Sequence, residues 1–169
     1  MRRVAPFQIP LPALTLSTTS EDLAPQSFEN REIGLKWDIR SDLSLTAAVF
    51  SLERGQFTSV DPDDASIVTT VPGSTTEGFE IQLVGVVMQG WTLNAGYSYL
   101  DGQVEGGSND GNVTRQTPEH MFSLWNRYQA TDRLGLAIGM TYQDTFFVRD
   151  DNNVQIPSLA SFDAGAYDA

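Results

Sequence analysis

Cysteine is absent from this chain of 169 residues, and no stretch reaches the roughly 18 to 20 consecutive apolar residues that a membrane helix requires. The first absence excludes disulfides and thiolate metal sites, and it leaves the redox compartment undetermined. The second excludes a transmembrane helix. It leaves membrane strands open, because a spanning β-strand needs only about 9 to 11 residues with every second one apolar.

Cations are scarce as well, with 10 Lys and Arg against 22 Asp and Glu and a formal net charge of -12. Binding to phosphate requires clustered cations, so nucleic acid is not an expected partner. The chain opens with two arginines, but Pro6, Pro10 and Pro12 interrupt the apolar region that a secretory signal would need. Residues 1–27 are therefore predicted to be an irregular segment or loop.

The chain does contain long stretches in which apolar and polar residues alternate. In "GWTLNAGYSYLDG", residues 90–102, Trp91, Leu93, Ala95, Tyr97 and Tyr99 share one parity, which predicts a strand with two unlike faces. No stretch shows the helical spacing i, i+3, i+4, i+7 with caps, so the fold is predicted to be all-β. Strands are predicted over 28–38, 42–53, 76–87, 90–102, 119–129 and 133–147, with another from about 159.

The predicted connections alternate in length. Those near 39–42, 88–90 and 130–133 are tight, whereas 54–72, 101–117 and 148–157 are long and rich in Asp, Asn, Gly and Pro. This alternation is typical of an antiparallel up-and-down transmembrane β-barrel segment, whose strands join by short turns at one rim and long loops at the other. A soluble β-sandwich also alternates apolar and polar residues and is the rival prediction.

Large aromatic side chains fall near both ends of the predicted strands. Trp37, Trp91 and Tyr128 lie beside the three tight turns, and Tyr97, Tyr99 and Tyr142 lie towards the long loops. Aromatic rings with a polar tip favour the interface between a bilayer and water. These six residues are predicted to be membrane-interface aromatics, with outer-membrane lipid against the apolar face between them.

Five segments in this order and spacing, "SFENREIGLKWD", "LSLTAAVFSLERG", "EGFEIQLVG", "GWTLNAGYSYLDG" and "TPEHMFSLWNRYQ", resemble the later barrel strands of TonB-dependent siderophore receptors. The resemblance covers roughly residues 23–169. It implies a bacterial outer-membrane location, a plugged barrel of 22 strands, and ferric siderophore and the TonB complex as partners of the full-length receptor.

On this basis residues 28–169 are expected to form about seven strands of a larger barrel, without a plug domain or a TonB-contacting segment. Seven strands cannot close a barrel of that diameter, so the chain by itself is expected not to transport. Two alternatives stay open: a passive porin-like outer-membrane channel, and a soluble β-sandwich that acts as a binding module.

If the receptor interpretation holds, ligand contacts come from the long loops. Cations and aromatic rings suit anionic or aromatic ferric siderophores, and the candidates are Arg54, Phe57, Arg115, Phe147 and Arg149. For each of them the alternative is a rim residue with no role in binding.

Other potentially reactive residues have simpler explanations. His120 is the only histidine and is expected to be a structural or rim residue. The acidic runs 61–64, 108–112 and 149–153 fit no calcium-loop pattern, so they are expected to be solvated loop charge, with divalent-cation bridging to lipopolysaccharide as a lesser alternative. Inward-facing Glu32, Lys36, Glu80 and Gln82 are expected in any polar barrel interior. The sequence thus predicts no catalytic residue, no metal site, no cofactor and no enzyme.

Overall fold

A computed structural model describes residues 26–60 and 68–168, and nearly all of the regular structure in these ranges is β-strand. The strands are β1 (Phe28–Arg40), β2 (Leu43–Arg54), β3 (Phe57–Val60), β4 (Val68–Val71), β5 (Gly73–Met88), β6 (Trp91–Glu105), β7 (His120–Gln129), β8 (Leu134–Gln143), β9 (Phe146–Phe147), β10 (Gln155–Ile156) and β11 (Leu159–Asp168). Among these residues, no helix has the length and apolar composition needed to span a membrane. The all-β prediction is confirmed.

Seven strands form one antiparallel sheet in the order β1-β2-β5-β6-β7-β8-β11. Each strand pairs with its neighbours along the chain, and the seven strands are 10 to 16 residues long. The remaining four short strands form two hairpins, β3–β4 and β9–β10, within the long connections. The predicted up-and-down meander of about seven strands is therefore present.

The tight turns lie at 41–42, 89–90 and 130–133, as predicted, and they alternate along the chain with the long connections. The sixth predicted strand, 133–147, is too long, because β8 ends at Gln143. Asp144 turns the chain there: its carboxylate accepts a hydrogen bond from the backbone N–H of Thr145 at 2.7 Å. Phe146 consequently belongs to the separate strand β9. Residues 1–25 and the acidic run 61–64 lie outside the described residues.

Strand register produces two faces of opposite character. One row across the sheet is apolar or aromatic and consists of Leu35, Ala47, Ile81, Tyr97, Phe122, Tyr142 and Ala160. The neighbouring row on the other face is polar or small and consists of Lys36, Thr46, Gln82, Gly96, Ser123, Thr141 and Ser161. Because side chains alternate along a strand, these rows define an apolar face and a polar face.

Within residues 26–60 and 68–168, no second layer of structure covers either face. The buried hydrophobic residues of the described chain are only Ala48, Val104 and Ala137, whereas Ile33 is 78% exposed and Phe162 is 70% exposed. A soluble sandwich would bury the apolar face of this sheet against another sheet. The single layer of strands is instead what a barrel wall requires, since lipid covers one face of the wall and a polar lumen lies on the other.

Candidate ligand-binding surface

The loops at the long-connection end of the sheet, here called the long-loop rim, form specific contacts with each other. Asn152 in loop 144–158 accepts a hydrogen bond from the backbone N–H of Val113 at 2.9 Å and donates one to the carbonyl of Val113 at 2.8 Å. The Asn152 side chain thus bonds both backbone groups of Val113, as the backbone of a residue on a neighbouring strand would. Asn152 has a φ of 54°, a left-handed conformation that Asn tolerates better than most residues.

Three further hydrogen bonds join the same two loops. The Asn112 amide donates to the carbonyl of Asp150 at 2.9 Å, and the Asp150 carboxylate accepts from the backbone N–H of Arg115 at 2.9 Å. The backbone N–H of Gln116 donates to the carbonyl of Phe147 at 2.8 Å. Loops 106–119 and 144–158 therefore form one hydrogen-bonded unit, named the clasped loops below.

The clasped loops carry three of the five sequence candidates for ligand contact: Arg115, Phe147 and Arg149. The other two lie on the neighbouring connection, Arg54 at the end of β2 opposite Ser74, and Phe57 at the start of β3 opposite Val71. The two regions touch near Pro72, since a β-carbon on Gly107 would be 3.0 Å from the Pro72 ring.

Each arginine of the clasped loops has a carboxylate beside it. Arg115 lies 3.9 Å from Asp150, and Arg149 lies 3.6 Å from Asp151. The backbone N–H of Asn153 donates to the Asp151 carboxylate, and this bond, helped by the Asn153 side chain and by Arg149, lowers the pKa of Asp151 against an opposing effect of desolvation. Both guanidinium groups are exposed and the pairs are long, and such pairs contribute little to stability, so either guanidinium can turn towards an anionic ligand at small cost.

In the two acidic runs that the structure describes, 108–112 and 149–153, the carboxylates mainly accept hydrogen bonds from loop backbone. Asp110 accepts a hydrogen bond from the N–H of Gly106 at 2.7 Å, and Asp150 and Asp151 accept from backbone N–H groups as described above. Within the described ranges, no three His, Asp or Glu side chains converge on a geometry that could hold a metal ion. The carboxylates of these two runs therefore stabilise the backbone of their loops.

The polar face contains a groove of about 430 Å³ at the centre of the sheet. Its polar side chains are Thr46, Glu80, Gln82, Ser98, Ser123, Thr141 and Gln143. Glu80 is the one carboxylate among them, and His120 lies on the opposite face, where its Nδ1 is 2.8 Å from the Tyr97 hydroxyl. The groove thus has the hydrophilic composition of a lumen wall, and it lacks a paired acid and base.

The apolar face has aromatic side chains towards both rims. Trp91 lies directly opposite Tyr128 at the tight-turn rim. At the long-loop rim the Tyr99 ring stacks on Phe79 and is tilted against His120, with ring centroids 5.7 and 5.3 Å apart. Tyr97 and Tyr142 both pair with Phe122 one row further in.

Trp37 differs from Trp91 in register by two rows, since it aligns through Leu45 and Leu83 with Ala95. In a barrel whose strands are tilted by about 40°, three strand spacings of about 4.8 Å change the depth by roughly 9 Å. Four residues along a tilted strand change it by roughly 10 Å. Trp37 and Trp91 share a depth when these two changes have opposite sign, so their common height stays a prediction.

A single antiparallel sheet with one lipid-compatible face, one hydrophilic face and loops organised at one rim defines a segment of a membrane β-barrel wall. Residues 6–169 match the family model described as "TonB dependent receptor-like, beta-barrel". The chain belongs to this family of outer-membrane receptors, and its apolar face has the composition expected of the lipid-facing side of such a barrel.

Individual relatives agree with this assignment. The chain is 31% identical over 166 residues to the probable TonB-dependent siderophore receptor PiuA of Acinetobacter baumannii, which covers 90% of this chain and 22% of that protein. It is 31% identical over 148 residues to the catecholate siderophore receptor Fiu of Escherichia coli K12, which covers 85% of this chain and 19% of that protein. The chain therefore spans about a fifth of the length of these curated relatives.

Solved structures show the same arrangement of strands. The crystal structure of PiuA superposes with a TM-score of 0.73 at 30% identity, covering 83% of this chain and 22% of that one. The closed form of Fiu superposes with a TM-score of 0.70 at 29% identity, covering 85% and 21%. The predicted family and fold are confirmed, and the sandwich alternative is wrong.

Three residues that organise the long-loop rim and the apolar face are missed by the sequence predictions. Asn152 and Asp150 join the two loops, and Asn126 lies on the apolar face, where it accepts a hydrogen bond from the Trp91 indole. The signal for Asn126 is available in the sequence, because it interrupts the apolar parity of β7 between Leu124 and Tyr128. The loop contacts of Asp150 and Asn152 have no comparable signal, since they join residues 35 to 39 positions apart.

Proposed function

We propose that the full-length receptor containing this chain imports a ferric siderophore across the outer membrane with energy delivered through TonB, and that it is not an enzyme. The chain supplies part of the barrel wall and two neighbouring ligand-facing loops. The observation that carries this proposal is the clasped-loop unit, which presents Arg115, Phe147 and Arg149 together at the rim that faces the outside in such barrels.

The chemistry of these loops suits an anionic, aromatic ferric complex. Arg115 and Arg149 are 51% and 75% exposed at the side chain, and their weak ion pairs can be exchanged for bonds to the oxygens of the ligand. Phe147 offers a ring for stacking. PiuA and Fiu are named as siderophore receptors and Fiu as a catecholate receptor, so a ferric catecholate is the first ligand to test.

The polar face supports passage of a hydrophilic complex or contact with a hydrophilic partner inside the barrel. A passive porin-like channel would have the same lipid-facing side, and it would differ in needing no energy source. The dependence of uptake on TonB therefore separates the two functions.

The test is uptake of a ⁵⁵Fe-labelled catecholate siderophore by iron-starved cells that carry the full-length receptor as their sole catecholate receptor. We expect saturable uptake that disappears in a strain without TonB. Equal uptake with and without TonB would favour the passive channel, and no uptake of any ferric siderophore tested would contradict the proposed function.

A second arm tests the site alone. The double variant R115A/R149A should weaken binding of the ferric catecholate roughly tenfold or more, because charge-assisted hydrogen bonds are lost. Arg133→Ala is the matched control, since Arg133 lies in the tight turn between β7 and β8 at the opposite rim. If R115A/R149A and Arg133→Ala bind equally well while uptake depends on TonB, the function stands and the assignment of these residues fails.

A further inference from the structure

Within the strands that the structure describes, the apolar face carries one carboxamide between the aromatic residues of its two rims. This residue is Asn126. It pairs with Leu93 on β6 and Ile138 on β8, so its side chain lies in an otherwise apolar row. A polar group exposed to hydrocarbon is costly without a hydrogen-bond partner. Its position therefore calls for an explanation.

The side-chain oxygen of Asn126 has a hydrogen-bond partner within the chain. The Trp91 indole N–H bonds to the side-chain oxygen of Asn126. An indole N–H can only donate, so the carbonyl end of the amide must face Trp91 and the NH₂ end is left with two donors. No described residue accepts a hydrogen bond from that NH₂ group.

The amide lines an apolar groove of about 470 Å³ at the tight-turn rim. The other residues that line it are Met88, Trp91, Tyr128, Leu136 and Ile138. Asn126 lies on β7, and both neighbours of β7 in the sheet, β6 and β8, are present. Closing the barrel with further strands would therefore not cover this groove, and its occupant must come from the membrane side.

The depth of the amide indicates the chemistry of that occupant. Asn126 lies two residues from Tyr128 in the direction of the bilayer centre, which is roughly 5 Å along the membrane normal for a strand tilted by about 40°. Interfacial tyrosine and tryptophan rings lie at the level of the headgroups. Just below that level, a glycerophospholipid carries ester carbonyls, which accept hydrogen bonds, above acyl chains that match the apolar groove.

We propose that this groove binds a glycerophospholipid of the periplasmic leaflet. One acyl chain lies against Tyr128, Leu136 and Ile138, and an ester carbonyl accepts a hydrogen bond from the Asn126 NH₂ group. The bond between Trp91 and Asn126 fixes the amide in the orientation that presents these donors.

The test compares diester and diether phosphatidylethanolamine with identical headgroups and chain lengths, because only the diester carries the carbonyl acceptor. The full-length receptor is reconstituted with an equimolar mixture of the two lipids and extracted with mild detergent, and the retained lipids are measured by native mass spectrometry. We expect the wild-type receptor to retain the diester about fivefold over the diether, the effect of one ordinary hydrogen bond.

Asn126→Leu should abolish this preference. Asn94→Leu is the matched control, because it is the same substitution on β6 and Asn94 pairs with Trp125 on the polar face. Asn94→Leu should retain the preference. Folding of both variants is checked by the heat-dependent shift of the barrel on a gel.

Either of two results would overturn the proposal: a wild-type receptor that retains both lipids equally, or an Asn126→Leu variant that keeps the preference for the diester. The wild-type comparison alone decides the matter if Asn126→Leu fails to fold. A protein cross-linked to this groove, with no preference between the lipids, would identify a protein as the occupant and would also reject the lipid.

Discussion

The indole ring of Trp125 on β7 lies over Gly139 on β8, so close that a β-carbon at position 139 would be 2.7 Å from the ring. The same relationship recurs on the polar face between Tyr167 and Gly135. Arg127 lies over the Tyr167 ring, with the guanidinium carbon 4.2 Å from the centroid. These glycines make room for aromatic rings that lie flat on the wall, which keeps large side chains from projecting into the lumen.

Gly139→Ala should destabilise the barrel, because the new methyl group must displace the half-exposed Trp125 ring from its contact with position 139. Overpacking of this kind costs about 1 to 3 kcal/mol. The measurement is the urea midpoint of the folded full-length receptor in lipid vesicles. Gly96→Ala is the control, since its nearest contact is the Ser123 hydroxyl at 3.1 Å, which can rotate away. Equal midpoints for the two variants would contradict this interpretation of Gly139.

The two faces should differ in their tolerance of charge. Leu124→Arg places a cation among Ala95 and Met140 on the lipid-facing side and should cost about 2 to 4 kcal/mol. Ser123→Arg, the adjacent residue on the polar face, should be tolerated. The yield of heat-modifiable barrel in the outer membrane checks both variants, and similar losses for the two would show that the faces are wrongly assigned.

The contact between the loops should depend on the Asn152 side chain. Asn152→Gly removes both bonds to Val113 and keeps the left-handed backbone accessible. We expect faster proteolytic cleavage within residues 106–119 and a several-fold weaker affinity for the ferric siderophore. The control is Asn109→Ala in the same loop, whose side chain makes none of the bonds across the loops. Unchanged cleavage in Asn152→Gly would mean that other contacts hold the loops together.

Titration of Asp151 should cause no change in the affinity for an anionic ferric siderophore between pH 7 and pH 5. Its pKa lies below the usual 3.8, chiefly because the backbone N–H of Asn153 bonds to the carboxylate. Interactions that depress a folded-state pKa are present above that pKa and are lost as the pH falls through it. Asp151 therefore stays ionised beside Arg149 throughout this range.

Asp151→Asn should instead raise the affinity by up to about fivefold at pH 7, because it frees Arg149 and keeps an acceptor for the backbone N–H of Asn153. Isothermal titration with the ferric catecholate measures the change. Asp132→Asn, in the tight turn at the opposite rim, should have no effect. A weaker affinity in Asp151→Asn would show that the ion pair helps to build the site.

Much of the structure of the barrel wall can be predicted from local patterns in the sequence. Alternation along β6 assigns Trp91 and Tyr97 to one face and Asn94 to the other, because successive side chains of any extended strand point to opposite sides. Tight turns also have local signatures, such as Gly90 with a φ of 77°. Strand positions and faces are therefore predictable from the sequence.

The register between strands and the contacts between loops are not local properties. The alignment of Trp37 with Ala95 depends on two intervening strands, and strand tilt decides whether Trp37 and Trp91 share a depth. The bond between Asn152 and Val113 depends on how two separate loops close. Asn residues are common in loops for their own turn chemistry, so the sequence of either loop alone does not indicate its partner.

The most direct test of which face of the barrel wall lies against lipid makes use of the absence of cysteine from this chain. Single cysteines are placed at each position of β7 in the full-length receptor, after removal of any cysteine outside this segment, and are spin-labelled in lipid vesicles. Collision rates with oxygen, which concentrates in lipid, and with a water-soluble nickel chelate are then measured. We predict that positions 122, 124, 126 and 128 are reached by oxygen and that positions 121, 123, 125 and 127 are reached by the nickel chelate. Equal access of the chelate to both sets, or no period of two, would contradict the assignment of the apolar face to lipid.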